Sequence, residues 1–247
     1  MKAEYQTYIG ETKSNYVNDS EIFNNVYFLN GFSERNEMEY LQKSVGQFCH
    51  QGPGLHALDL TAGRGVSAMA LAKMGFNVTA FNMYTNAISL LQKLALQQEM
   101  NISFGKGAIS HLANLNKKFD VIHDLETLSD TVSTAERTDF LYDLKNTLAD
   151  DGLVVMTVKV LSSTYDPADS FESVYLAPDY VLWRQTPATD IEGVIEMDGK
   201  HWTAHRRIAP AELIRLELAA AGFAILSEEI ELIPGCPSTL KMVLVKA

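Results

Sequence analysis

The stretch Leu55-His56-Ala57-Leu58-Asp59-Leu60-Thr61-Ala62-Gly63-Arg64-Gly65 decides how the rest of this chain is read. An apolar run ends in Asp59, a glycine turn follows, and an amphipathic helix over Val66 to Met74 starts at once. Strand, glycine turn and helix in succession aim backbone N–H groups from a helix N-terminus at a ligand. Gly63 and Gly65 suit close approach because neither carries a Cβ. Taken alone, Gly63-x-Gly65-x-x-Ala68 also fits a dinucleotide fingerprint, so a nicotinamide dehydrogenase is one reading of these residues. Asp59 argues against it, since a carboxylate at the loop's entrance repels a pyrophosphate.

Outward from this stretch, strand and helix signals alternate. Asn77–Phe81 reads as a strand and Thr85–Met100 as a helix, with Ala87, Leu90, Leu91, Leu94 and Ala95 on one face. Ile102–Phe104 and Phe119–His123 read as strands, Ala135–Leu148 as a helix ending near Asp150-Asp151-Gly152, and Leu153–Val160 as a buried strand. Such alternation predicts a parallel sheet with helices on both faces. Residues 161–208 interrupt it; there, Asp190–Met197 and Lys200–Ile208 form an expected hairpin around Asp198-Gly199. Pro210 opens a helix over Ala211–Ala221, Gly222 closes it, and Phe223–Leu232 and Thr239–Val245 are two final strands.

The first fifty residues read as helical and carry Tyr5, Tyr8, Tyr16, Phe23, Tyr27, Phe28, Phe32 and Tyr40, too many aromatics for a solvated tail. The expected division is therefore a helical cap over 1–50 and an α/β domain over 51–247, with a hairpin insertion at about 161–208. A chain of 247 residues that is 47% hydrophobic buries one sizeable core. Its formal charge of −11 disfavours nucleic acid, whose binding depends on Lys and Arg. Cys49 and Cys236 stand far apart in no metal-ligand spacing, so reduced thiols and no metal site are expected. No signal-peptide core and no bilayer-length apolar run is present, which leads us to expect a cytoplasmic protein without membrane association, monomeric or homodimeric.

From about residue 50 onward the chain resembles the class I S-adenosylmethionine-dependent methyltransferases, and in its Arg206-Arg207-Ile208-Ala209-Pro210-Ala211-Glu212-Leu213 stretch the small-molecule branch. The matching segments are residues 58–65, 77–82, 119–128, 148–158 and 206–223, in the family's order. The resemblance implies a Rossmann-like seven-stranded sheet with only the last strand antiparallel, and S-adenosylmethionine as cofactor. It also implies that Asp59 orients the glycine loop near the cofactor's ammonium and that Gly63 and Gly65 admit its backbone. Thr61 stands where the family has its first glycine. Asn82 stands where Asp or Glu takes the ribose hydroxyls, with Met83 beside it, and Ala108 and Ile109 stand where an acidic residue meets the adenine. Asp124 falls where the methionine ammonium is held.

The resemblance further implies an N-terminal lid, for which Tyr5, Tyr8 and Tyr16 are candidates, with Tyr175 and Trp183 completing an aromatic wall against the sulfonium. Tyr5 and Tyr16 are assigned to the cofactor. Glu126, His123, Tyr8 and Tyr175 are the candidate catalytic groups, as a base is needed only for a protonated acceptor. His123 also reads as a core histidine at a strand end. Arg206 and Arg207 read either as a grip on a substrate carboxylate or as surface charge.

The expected function is methylation of a small molecule. One alternative is a cyclase that directs the cofactor's amine onto its own Cγ, giving azetidine-2-carboxylate and methylthioadenosine. Another is a non-catalytic binding partner on a degenerate scaffold, to which Thr61, Asn82 and Ala108 lend support.

Overall fold

The computed structural model describes residues 33–49, 54–63, 65–82, 85–106, 112, 114–165, 173–187, 193–233 and 235–247. Among them, helix α1 (Ser33–Phe48) precedes β1 (His56–Asp59), α2 (Val66–Lys73), β2 (Asn77–Asn82), α3 (Thr85–Gln97), β3 (Ile102–Lys106) and β4 (Phe119–Leu125). A single turn, α4 (Thr127–Asp130), and α5 (Thr134–Thr147) lead into β5 (Leu148–Val160). Strands β6 (Val174–Leu176), β7 (Val181–Gln185), β8 (Ile195–Met197) and β9 (Lys200–Arg207) follow, then α6 (Ala211–Ala220), β10 (Phe223–Glu231) and β11 (Ser238–Lys246).

The main sheet has seven strands in the order β10-β11-β5-β4-β1-β2-β3. β1 pairs in parallel with β2 and β4, and β4 with β5, while β11 is antiparallel to both its neighbours. The expected sheet, with only its last strand reversed, is the one observed.

Neighbouring residues along each strand serve opposite faces. Ala57, Val121 and Val155 join Tyr40, Leu41 and Val45 of α1 and Ala68 and Leu71 of α2 in one cluster. Leu58, Ile122 and Met156 join Phe140 and Leu144 of α5 and Ile214 and Leu218 of α6 in another. Burial of Leu41 and Val45 contributes about 1.5–3 kcal/mol each and makes α1 part of the core it covers. The buried positions of α3 include Ile88, Leu91 and Ala95, while Leu90 and Leu94, expected on the same face, are half-buried.

Two local expectations are corrected. β5 starts at Leu148, where α5 ends, and residues between Leu148 and Leu153 bulge out, because Phe119 pairs with Leu148 while Val121 pairs with Leu153. The expected hairpin exists, with Met197 opposite Lys200 and positive φ at both Asp198 (53°) and Gly199 (70°), as a type I′ turn requires. It belongs, however, to a four-stranded antiparallel sheet, β6-β7-β9-β8, in which β9 pairs mainly with β7. Strands β6 and β7 are short and lack clean alternation, so the sequence does not announce them. Trp183 and Trp202 from this sheet pack with Val132, just beyond α4.

Candidate functional site

The carboxyl ends of β1 and β4, where open α/β sheets take ligands, converge on the glycine turn. Gly65 is the N-cap of α2 with φ +80°, and Gly63 has φ +46°. The two differ in what their missing side chains spare. A Cβ on Gly65 would stand 2.5 Å from Leu91 Cδ2, so Gly65 lets α2 close against α3. Among the described residues, a Cβ on Gly63 would find only the Thr61 carbonyl oxygen, at 3.7 Å. The open cradle of the loop is therefore at Gly63, next to a helix N-terminus without a side-chain cap.

Asp59, fully buried at the end of β1, spends both carboxylate oxygens inside the chain. Oδ2 accepts from Ser67 Oγ at 2.5 Å and Oδ1 meets His123 Nδ1 at 3.1 Å. Register makes this contact: Asp59 and His123 are direct partners across β1 and β4, so their side chains leave the same face. Burial works to lower the His123 pKa, but the hydrogen bond and charge of Asp59, with Asp124 and Glu37 adding to them, leave it raised. With Nδ1 engaged by Asp59, Nε2 is the ring nitrogen turned away from that carboxylate.

Asp124, the next residue, leaves the opposite face and is also fully buried. Its Oδ1 accepts from the Thr127 backbone N–H at 3.3 Å, and Oδ2 has no partner among the described residues. Burial pushes this carboxyl up to about 6, against the hydrogen bonds from Thr127 that pull it down. It lies inside the β4–α4 turn and caps its backbone.

Thr61 takes the place of a glycine and uses its side chain. Its hydroxyl accepts from the Leu125 N–H at 3.1 Å and donates to the Leu125 carbonyl at 3.3 Å, stitching the glycine loop to the end of β4. Glu126 follows with φ 65°, an uncommon conformation for a side chain that is not glycine. Its carboxylate meets Lys159 Nζ at 3.2 Å and Arg206 NH1 at 3.1 Å, and Arg206 NH2 reaches Asp130 Oδ1 at 3.2 Å. Arg206, expected as a substrate grip or a surface charge, is thus engaged within the chain, and Arg207 donates to Thr134 Oγ1 at 3.1 Å.

From below, the buried Arg137 holds the same turn. It donates to the Leu128 and Thr131 carbonyls and forms a two-pronged pair with Glu217, at 2.7 and 2.5 Å. From the α1 side, Glu37 accepts from Thr157 Oγ1 at 2.9 Å and faces the buried Lys241 at 3.6 Å. Sequence reasoning singled out none of Ser67, Glu37, Lys159 or Arg137; only Ser67, in the first turn after the glycines, had a position that suggested a role.

Tyr175 lies on the outer strand β6, 40% exposed, with its ring edge-on to Trp202 at 6.4 Å between centroids. Trp183, its expected companion, is buried. Asn82 ends β2 as expected, though its side chain is not among the described features. Tyr5, Tyr8, Tyr16, Met83, Ala108 and Ile109 lie outside the described residues. No helix among the described residues is long and apolar enough to cross a membrane.

Comparison with known proteins agrees with this geometry. The family model described as a methyltransferase domain matches residues 57–152. A ubiquinone biosynthesis O-methyltransferase of Coxiella burnetii is 36% identical over 75 residues, 30% of this chain and 32% of that protein. One from Rickettsia canadensis is 25% identical over 129 residues, 52% of this chain and 53% of that protein. The chain thus spans about half, or less, of the length of these curated relatives. Among solved structures, an S-adenosylmethionine-dependent methyltransferase of Clostridium acetobutylicum superposes with a TM-score of 0.65 at 15% identity, over 93% of this chain and 100% of that one. The 1,6-didemethyltoxoflavin-N1-methyltransferase of Burkholderia thailandensis, with 1,6-didemethyltoxoflavin and S-adenosylhomocysteine bound, gives 0.56 at 16% identity, over 92% and 86%. Its strand order and its glycine turn at the carboxyl edge give the chain the fold of these methyltransferase structures, and residues 57–152 match a methyltransferase domain.

Proposed function

We propose that this protein binds S-adenosylmethionine against the Gly63–Gly65 turn and transfers its methyl group to a small molecule. The observation that carries the reading is the open cradle at Gly63, beside an uncapped helix N-terminus and at the end of β1. When bound there, S-adenosylmethionine supplies an already electrophilic methyl group, so the chain's own residues mainly position an acceptor and exclude water.

Of the candidate proton acceptors, His123 fits the task best. Asp59 fixes its Nδ1 and leaves Nε2 to take a proton from an acceptor hydroxyl or amine, the arrangement by which carboxylates orient catalytic imidazoles. Glu126 is less suited, because both its oxygens already face cations. Residues 1–50 serve as a cap, with Tyr5, Tyr8 and Tyr16 closing over the cofactor and Tyr175 near the acceptor. The contact of Glu37 with Thr157, in the last part of β5, supports this, for it anchors the first turns of α1 at the carboxyl edge.

A second reading, cyclisation, is favoured by one feature: Asp59 is spent on His123 and Ser67 and offers nothing to keep the cofactor's amine as an ammonium. In that reaction the amine nitrogen attacks Cγ, the Cγ–S bond breaks, methylthioadenosine leaves and the amine gives up a proton.

Calorimetry with S-adenosylhomocysteine, followed by incubation with S-adenosylmethionine and a panel of phenols and amines, tests both readings. Methyl transfer yields S-adenosylhomocysteine only when an acceptor is present, methylthioadenosine from the cofactor alone means cyclisation or lysis, and azetidine-2-carboxylate beside it establishes cyclisation. No heat of binding overturns both.

A further inference from the structure

The described residues link the glycine loop to the four-stranded sheet by a continuous run of polar contacts. Its first segment is Thr61, whose hydroxyl both accepts from and donates to the backbone of Leu125. Its second is Glu126, adjacent in sequence, whose backbone N–H is held by the Thr157 carbonyl at 2.9 Å and whose carbonyl accepts from the Asp130 N–H at 3.0 Å. Its third is Arg206 on β9, which binds the Glu126 carboxylate and reaches Asp130, while Lys159 holds the other Glu126 oxygen. β9 is the central strand that pairs with both β7 and β8, so whatever moves Arg206 moves that sheet.

The geometry points to Thr61, Glu126 and Arg206 as positioning residues that transmit occupancy of the cofactor loop to the four-stranded sheet. This rests on the glycine loop being the cofactor site. Three features support it. A glycine at position 61 has no group with which to hold Leu125 on both its polar atoms. The φ of 65° at Glu126 is uncommon for a residue with a side chain and persists only where neighbours over-determine it, as two cations and two backbone bonds do here. The ion pairs are only 17–25% exposed in their side chains, so solvent and salt screen them less than surface pairs. A turn held at both ends and strained in its middle has the makings of a bistable element, and ordering the loop on one side biases the strand on the other.

Hydrogen exchange on the full chain, with and without saturating S-adenosylhomocysteine, tests the relay. The expected result is slower exchange in residues 59–66 and also in 200–207, by roughly fivefold or more for a coupling of ordinary size. Thr61→Val and Glu126→Gln each keep the protection of 59–66 and lose that of 200–207, whereas Thr61→Ser, which keeps the hydroxyl, retains both. Unligand-bound thermal melts of the variants separate this from simple loosening of the fold. Protection of 200–207 that survives in both Thr61→Val and Glu126→Gln, or that never appears in the parent chain, overturns the relay. Should either variant fail to fold, Arg206→Lys, which retains the charge but loses the fork to Glu126 and Asp130, gives the same readout. Absence of any S-adenosylhomocysteine effect in residues 59–66 removes instead the reading of the loop as the cofactor site, and the relay with it.

Discussion

Asp59 and His123 meet at 3.1 Å across neighbouring parallel strands, both buried, and each fixes the other's orientation. The contact follows from register alone, since the two residues are direct partners at the carboxyl ends of β1 and β4. The raised His123 pKa means that protonation favours the folded state. The contribution is fully present below the ordinary histidine value of about 6.5 and is lost as pH rises through the folded value. Urea unfolding of the parent chain and of His123→Gln at several pH values from 5 to 9 checks this. The parent's advantage shrinks with rising pH; a gap that stays constant or widens counts against a protonated His123–Asp59 pair.

Asp124 carries the same sign for a different reason. Its carboxyl, at about 6 in the fold against an ordinary 3.8, ionises at a cost, so stability falls as pH rises from about 4 through 6. Asp124→Asn removes that cost while its amide oxygen can still accept from Thr127. The variant should gain on the order of 2–3 kcal/mol at pH 8 and little at pH 4, read from denaturant midpoints. A loss of stability at pH 8 would mean that the ionised carboxylate is wanted where it lies.

The two loop glycines should part company on substitution. Gly65→Ala combines φ +80° with a methyl 2.5 Å from Leu91 and should cost about 2–4 kcal/mol of stability. Gly63→Ala meets no more than an ordinary contact with the Thr61 carbonyl among the described residues and the strain of its φ of +46°, for about 1 kcal/mol. If the cofactor lies in the cradle, Gly63→Ala weakens S-adenosylhomocysteine binding by far more than its stability loss suggests. Thermal melts beside calorimetry on both variants separate the two effects.

Arg137 is the buried charge on which the β4–α4 turn rests. Arg137→Met takes away the pair to Glu217 and leaves the Leu128 and Thr131 carbonyls without their donor. A loss of about 3–5 kcal/mol is expected, because removing one partner of a buried pair strands what it held. Equilibrium unfolding reads it directly, and a change below about 1 kcal/mol would show the turn to be held by packing alone.

How much of this is legible in the sequence depends on the range of the interaction. The alternation from Leu55 to Val160 and the two closing strands are legible because each element announces itself within a few residues. So is the type I′ turn, since Asp198-Gly199 is a local requirement for positive φ. β6 and β7 are not legible: three and five residues long, they are strands only because they pair with each other and β7 pairs with β9. The same holds in the site. Asp59, Gly63 and Gly65 stand out by spacing, but Lys159 and Arg206 gain their meaning from Glu126, 33 and 80 positions away, through the fold. The Arg206 ion pairs escape sequence reading on the same account, as no local signal shows Glu126 and Asp130 waiting for that side chain.

Among the described residues, the outermost strand of the main sheet, β10, has one neighbour, β11, and a bulge at Leu226. Its other edge, unpaired among the described residues, offers backbone groups that invite another strand to join. Along it stand Glu228 and Glu229, both exposed, and Glu231, half-buried. A second copy of β10 laid against the first would set these carboxylates side by side, and the bulge would break the ladder's register. Growth of the sheet from molecule to molecule is therefore opposed at this margin by charge and by shape together, and Glu229 and Glu231, which neutralise Lys241 within the fold, also guard its boundary.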